Sequence, residues 1–569
     1  MSAPAPPRPR TGGILLAQRT LFAGPSTSAP DHLYSRALTG AVLRERDRVT
    51  LEAHTRLTTN TFFGRFPADH WQRRTEISSV EITAQIHGTG RISVAADDSE
   101  GHPRTVATTV AAGPEEQTVR LHADIDRFAD GGALWLDVET DDERVTVENV
   151  RWLVQTPRPS RATDLVICTH NRPERCVDVL VELVRDTELL DRLGAVHVVD
   201  QGDDLVLDAH RFGFVRRVLG TKLHYLRQPN LGVAGGIARG LREITPGPVN
   251  AVLVDDDVRL EPETVSRLAS FAACTADPVL LGAQALDELH PDRLDESPRR
   301  WRGLVPAEAV ARAGYPLPLF CEHDDAEFTA RVRAAGMDAI TLPGAGIWQG
   351  DSDWHDDDWT SYFRARNDLV TAALRDELRP RGRARRLLAE LVEDLLAMRY
   401  GQAATRIKAV EDFLRGPEVL ADGGAESFAE IGKLRAEFPE TQCVPAFEVA
   451  PGVERREPGR APRLPRLTML ARLAGQLCNR PKATAAVPAA DAHWWHVSRF
   501  RAAVVTDASQ RGVRMRRFDR EMLLRLARRG AVQLWRFLRH GGRTARRYRD
   551  AADGLGSAAN WDRLFSRPR

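Results

Sequence analysis

Four short apolar runs constrain this chain more than any other feature: Leu165–Cys168, Val196–Val199, Leu223–Leu226 and Ala251–Val254. Each is followed by polar or glycine-rich residues. The first leads into Thr169-His170-Asn171-Arg172-Pro173, the second into Asp200-Gln201-Gly202, the third into Asn230-Leu231-Gly232-Val233-Ala234-Gly235-Gly236, and the fourth into Asp255-Asp256-Asp257. A helix is expected from about Pro173 to Asp186, and a Gly-rich helix over Gly232–Arg242. Strands alternating with helices predict a parallel α/β sheet. Ligands bind at the carboxyl ends of such strands, so the polar ends are the place to look for chemistry.

The flanks read differently. Residues 76–152 hold six short runs that alternate apolar and polar residues, among them Val80–Ile86 and Val145–Val154, with turn clusters between them. Period-2 strands at this spacing predict an antiparallel β-sandwich, either a structural module or a carbohydrate-binding one. Residues 1–30 read as a disordered start and then a strand. From about 368 the apolar spacing turns helical, over Asp368–Leu378, Arg383–Tyr400, Ala404–Leu414 and finally Arg520–Arg539. The expected division is 1–30, a sandwich over 31–157, an α/β domain over 158–378, and a helical domain with a basic tail over 379–569.

Composition narrows the class. With 569 residues, 42% hydrophobic and 28% charged, the chain is an ordinary multidomain globular protein. No run of about 18 apolar residues occurs, residues 1–12 lack the apolar core of a secretory signal, and the six cysteines form no CxxC pair. The cytoplasm is the compartment expected. The net charge of +1 hides an asymmetry: residues 501–569 sum to +12 and the rest to −11. A basic tail predicts contact with a membrane surface or another anionic partner. It carries no nucleic-acid reading motif, so nucleic acid is not expected as a partner.

In an extended segment alternate side chains share a face. Asp255 and Asp257 therefore point together at a strand end, a pair suited to a hard divalent cation beside phosphates. Asp200 is either an acceptor for a nucleobase N–H or a turn carboxylate, and Arg172 suits a diphosphate. The glycine spacing after the third strand disfavours a dinucleotide fingerprint. Asp324 and Asp325 begin a helix, either as dipole complements or with one as general base. Trp348 offers a face for stacking on a sugar ring. His355 is an ordinary loop histidine or, beside the Asp pair, a metal ligand.

Taken together these motifs resemble the family-2 inverting glycosyltransferases of GT-A fold, and most closely the actinobacterial galactofuranosyltransferases of cell-wall galactan synthesis. The resemblance spans nearly the whole chain. It rests on Phe62-Phe63-Gly64-Arg65-Phe66-Pro67-Ala68, Thr169–Pro173, Asp200–Gly202, Gln228–Gly232, Asp255–Asp257, Pro316–Phe320 with Asp324-Asp325, Tyr362-Phe363 with Arg366-Asn367, and Trp495–Ser498 with Val505–Ser509.

The resemblance implies a central GT-A (Rossmann-like) nucleotide-sugar domain between an N-terminal antiparallel β-sandwich and a C-terminal helical domain, α/β in class. It implies UDP-galactofuranose as donor, a polyprenyl-linked glycan as acceptor, and Mg or Mn as cofactor. Asp255 and Asp257 would hold the metal, either with His355 after a shift of its loop or with water as the remaining ligand. Thr169, Arg172, Asp200, Gln201, Asn230, Asp256, Trp301 and Trp348 would line the substrate, and Asp325 with Asp324 would supply the base. A homo-oligomer such as a tetramer, at the inner face of the plasma membrane, is also implied. Three departures stand out. Gln349 occupies the family's histidine metal-ligand position. Arg300-Trp301 replaces a tryptophan pair. The segment Asp287–Arg299 is short. The last two bear on the acceptor, and they leave open a single sugar addition, another UDP-sugar, a natural-product acceptor or a silent glycan-binding scaffold.

Overall fold

The computed structural model describes residues 13–567 apart from 27–28, 114, 157–160, 245–246, 248, 288–302, 350–358, 446–452, 458–459, 479–482 and 507–511. Trp301 and His355 lie outside the described residues, as do residues 507–509 of the last motif. The chain divides into two compact units. The first is 1–228 with 236–314 and 331–350; the second is 229–235 with 315–330 and 351–569.

The first unit contains both the sandwich and the α/β sheet. All six alternating segments are strands, and Ser79–His87 buries every second residue. One sheet runs Val42–Arg44, Arg48–Leu51, Val145–Gln155, Ser79–His87, Gln117–Asp124; the facing one runs Arg36–Thr39, Arg56–Thr58, Leu134–Thr140, Gly90–Ala96, Arg104–Ala111. The strand expected within residues 1–30 is present and joins the sandwich. Ile14–Arg19 is a strand paired with Val145–Gln155, and Ala17 is buried in the core.

The eight-stranded sheet has the order Leu223–Arg227, Leu193–Asp200, Thr163–Thr169, Asn250–Asp255, Gly303–Val305, Leu280–Asp287, Ala339–Gln349, Val258–Arg259. Its first four members are mutually parallel. They pair in the order third, second, first, fourth, which is the doubly wound arrangement with its switch point between the first and fourth strands. Cys168 pairs with Asp255, and Thr169 with Asp200. The acidic triplet thus stands at the switch point because two buried apolar strands run side by side and end together.

Sandwich and sheet share one core. Phe63 stacks on Tyr34 at 4.7 Å and packs against Trp348 at 5.4 Å. The buried Arg267 guanidinium donates to the carbonyls of Phe63 and Gly344. Arg19 pairs with Asp186 and Glu263, and Arg46 with the fully buried Glu261. This fusion explains the Phe62-Phe63-Gly64 motif: any side chain at Gly64 would run into the carbonyl of Thr59, 2.2 Å away.

The second unit is mostly helical, around Thr360–Leu374, Pro380–Leu396, Tyr400–Arg415 and the 36-residue helix Arg520–Leu555. It also carries a three-stranded sheet, Thr484–Val487, Ala502–Thr506 and Val513–Arg517. The sequence reading missed this sheet. Its strands are four or five residues long, and Ala-rich runs carry little β signal. Within the tail, Leu523 and Leu526 are buried, whereas Leu538 is exposed. Arg529, Arg547 and Arg549 pair with Glu411, Glu418 and Asp376, so part of the tail's charge is answered by its own unit. Among the described residues no helix is long and apolar enough to cross a membrane.

Candidate active site

The first unit gathers the acidic triplet with the ends of the first two strands. Asp256 is buried, and Thr169 Oγ1 donates to its Oδ2 at 2.7 Å. Burial pushes the Asp256 carboxyl up to about 6; the Thr169 hydrogen bond opposes this, and repulsion from Asp257 and Asp255 adds to it. Asp255 and Asp257 are half-buried. Arg172 Nη1 lies 3.4 Å from Asp257 Oδ2 and 3.5 Å from Asp256 Oδ1, with about half of its side chain exposed. The strand ends at Asp255, and Asp256 and Asp257 form a turn in which Asp256 is the buried member.

The loops around it are tied together. Asn171 takes a positive φ of 54°, and its Oδ1 accepts from the backbone N–H of Asp203 and Asp204 at 2.8 and 3.0 Å. Gly202 is required there, since a Cβ would sit 2.5 Å from Asn171 N. Gln201 N donates to the Thr169 carbonyl at 3.0 Å, and its Oε1 accepts from Gln228 Nε2 at 2.9 Å. Asp200 is fully buried. It accepts from Gly202 N and Val206 N at 3.0 Å each and from Tyr225 Oη at 2.6 Å. Of its two readings, the turn carboxylate is the one this geometry supports: its oxygens shape the 201–206 loop.

Trp348 requires a correction. It is fully buried, with Phe63 and the Arg259 guanidinium against its ring, in a cluster with Tyr34 and Leu286. A tryptophan in that position packs the sandwich onto the sheet and has no face open to a sugar. Gln349 pairs with Val258, next to the triplet, and with Asp287 on its other side. It is buried, and among the described residues its Oε1 has no hydrogen-bond partner.

The donor set fits a hard divalent cation. Three carboxylates repel one another at one strand end, two of them only half-buried, and positive charge there would relieve that repulsion. Among the described residues no group of three or more His, Cys, Asp or Glu side chains is placed to hold a metal ion.

In the second unit, Asn230 Oδ1 accepts from Gly232 N at 3.0 Å. Gly232 has φ 68°, and a Cβ there would meet the Phe320 carbonyl at 2.2 Å. The Phe320 carbonyl in turn accepts from Ala234 N at 3.0 Å. Asp324, buried, and Asp325, half-buried, open the helix Asp324–Ala334.

The turn before that helix is strained: Phe320, Glu322 and His323 all have positive φ, 73°, 62° and 63°. Such backbone persists only where its surroundings over-determine it. Here the clamp is Arg366-Asn367, both fully buried. Asn367 Nδ2 donates toward the carbonyls of Leu319, Cys321 and Glu322 at 3.0, 2.7 and 2.9 Å. Arg366 Nη2 donates to the Leu319 carbonyl at 2.9 Å and lies over the Tyr362 and Phe363 rings. The sequence reading found this motif but attached no role to it; two polar residues within an apolar helical stretch were the available signal.

A family described as galactofuranosyltransferase 2 N-terminal matches residues 32–155, and galactofuranosyltransferase-2, domain 3, matches 385–567. The galactofuranosyltransferase GlfT2 of Mycolicibacterium smegmatis is 30% identical over 571 residues, covering 89% of this chain and 88% of that one. GlfT2 of Mycobacterium tuberculosis is 29% identical over 591 residues, 91% of each chain. Among solved structures, a mannosyltransferase from Pyrobaculum calidifontis in complex with GDP-Man and Mn2+ is 17% identical, covers 50% of this chain and 86% of that one, and superposes with a TM-score of 0.28.

Proposed function

The chain belongs to the galactofuranosyltransferase family, and from that premise we propose that it moves galactofuranose from UDP-galactofuranose to a hydroxyl of a polyprenyl-linked cell-wall glycan, with inversion at the anomeric carbon. It is a glycosyltransferase of α/β fold. The observation that carries the finer reading is the acidic triplet at the switch point, with Thr169 and Arg172 beside it.

In this reading Arg172 exchanges its contacts with Asp256 and Asp257 for the donor diphosphate. Asp255 and Asp257 would hold Mg or Mn, which supplies positive charge against the departing diphosphate. Thr169 keeps Asp256 buried in its turn. Asn171 and Asp200 hold the 201–206 loop, with Gln201 in it, in place along the nucleotide. Asn230 sets the turn into the Gly-rich helix. Asp325, with Asp324 behind it in the first turn, takes the proton of the acceptor hydroxyl. The hydroxyl oxygen bonds to the anomeric carbon on the face opposite UDP, and the bond to the diphosphate breaks with its electron pair leaving on UDP. The acceptor's lipid places the reaction at the inner face of the plasma membrane, where the basic tail supports peripheral contact. A homo-oligomer is part of the same proposal.

The decisive experiment is product analysis with UDP-galactofuranose, a panel of other UDP-sugars and a synthetic lipid-linked disaccharide. Transfer of galactofuranose alone, with inverted configuration, is expected. Transfer of a different sugar, or none, would overturn the donor assignment. Asp325→Asn should lower kcat by about 10²–10⁴-fold, and unchanged turnover would remove Asp325 as the base.

A further inference from the structure

Gln349 ends the strand Ala339–Gln349 and is 7% exposed. Its Oε1 is a buried carbonyl oxygen with no hydrogen-bond partner among the described residues. Successive side chains of a strand point to opposite faces. Trp348 turns onto Phe63 and the Arg259 guanidinium, so Gln349 points to the face away from the sandwich. A buried acceptor without a donor costs free energy that folded chains ordinarily avoid. Such an atom calls for a partner from outside the chain.

Its position says which partner. Gln349 pairs with Val258, the residue directly after Asp257. Paired residues of antiparallel strands have Cα atoms about 4.5–5.5 Å apart, and consecutive residues about 3.8 Å. The backbones of Gln349 and Asp257 therefore lie within roughly 9 Å of each other, a gap that two side chains can close from both ends. On its other side Gln349 pairs with Asp287. Within the triplet, Asp256 is already held by Thr169. Since no group of three or more His, Cys, Asp or Glu side chains among the described residues is placed to hold a metal ion, a further donor beside Asp255 and Asp257 is of another kind. An amide carbonyl is one of the oxygens that hard divalent cations take. Water would satisfy Oε1 but leave the repulsion among the carboxylates unanswered, whereas a cation answers both.

We propose that Gln349 Oε1 is a ligand of the divalent cation and forms, with Asp255 and Asp257, a protein donor set made of oxygen alone. Such a set withholds from Mn, Co and Zn the advantage that a nitrogen ligand would give them over Mg. The proposal rests on the reading of Asp255 and Asp257 as metal ligands and adds a neutral third oxygen to them.

Calorimetry of the full chain with Mg or Mn in the presence of UDP, and pulsed electron paramagnetic resonance of its Mn–UDP complex, test it. Gln349→Leu should weaken the binding of both ions about tenfold or more. The same substitution should raise the melting temperature of the metal-free protein, because it removes the unpaired acceptor. Unchanged affinity, or a metal-free protein that melts below wild type, overturns the proposal. Gln349→His should shift the preference from Mg toward Mn and add nitrogen hyperfine coupling to the Mn signal, which wild type should lack. Gln349→His without that coupling would mean that position 349 does not reach the ion; nitrogen coupling in wild type would put a histidine on it. Either result overturns the all-oxygen set. Wild type that binds Mn with UDP as described yet transfers no galactofuranose keeps the ligand and defeats the donor assignment. Wild type that transfers galactofuranose while binding neither ion overturns the ligand and keeps the transfer.

Discussion

Thr169 and Asn367 show how single side chains hold a site in shape. Thr169 gives the one hydrogen bond described for the buried Asp256 carboxyl. Thr169→Val would leave that carboxyl short of a donor, at a cost of about 1–3 kcal/mol. A lower denaturant midpoint and weaker UDP binding by calorimetry are expected, and unchanged values would show that the bond does not matter. Asn367 acts at a distance from the chemistry assigned to Asp325. Asn367→Ala withdraws the donor that faces three carbonyls of the strained turn, so the start of the Asp324–Ala334 helix should shift. A fall in kcat of about 10–100-fold is expected from misplacement of the base, with donor KM within about twofold. A fall in donor affinity with kcat preserved would contradict a positioning role.

At the scale of elements, the Gly-rich helix and the preceding turn depend on close approach. Gly232 combines positive φ with a carbonyl 2.2 Å from where a Cβ would be. Gly232→Ala should therefore destabilise the protein by about 2 kcal/mol or more, read as a lower melting temperature by calorimetry. A neutral result would mean that the Phe320 turn moves freely. Gly236 has a related task in the first unit, where a Cβ would come within 2.7 Å of Cys168 Sγ, at the end of the first strand. The glycines that imitate a dinucleotide fingerprint thus serve the packing of chain on chain.

For the molecule as a whole, the seam between sandwich and sheet should control its acid stability. Glu261 is fully buried; burial would raise its carboxyl, but Arg46 and Tyr34 hold it below its ordinary value. Asp186, also subject to burial, is held low by Arg19. A carboxyl depressed in the folded state stabilises above its unfolded pKa of about 4, and that stability is lost as pH falls through the folded value. The melting temperature should accordingly drop below about pH 4. Asp256 has the opposite sign: its raised carboxyl favours folding most when protonated, so its penalty develops as pH rises from about 4 toward 6. Arg46→Met would strand the buried Glu261 carboxylate, costing about 3–5 kcal/mol at neutral pH. Melting equal to wild type at pH 7 would show that Tyr34 alone suffices.

The sequence by itself determined the elements whose signal is local. Period-2 alternation marked the sandwich strands, apolar runs ending in Thr169, Asp200 and Asp255 marked the parallel sheet, and helical spacing marked the last third, because side-chain periodicity reports burial of one face. Tertiary structure alone decided three things. It sent Trp348 into the seam beside Phe63, it turned the oxygens of Asp200 onto its own loop, and it set Arg366 and Asn367 on the strained turn. A tryptophan or an aspartate has the same local pattern whether its partner is a ligand or the chain itself; which one it meets depends on residues far away in sequence, brought near only by the packing of the whole.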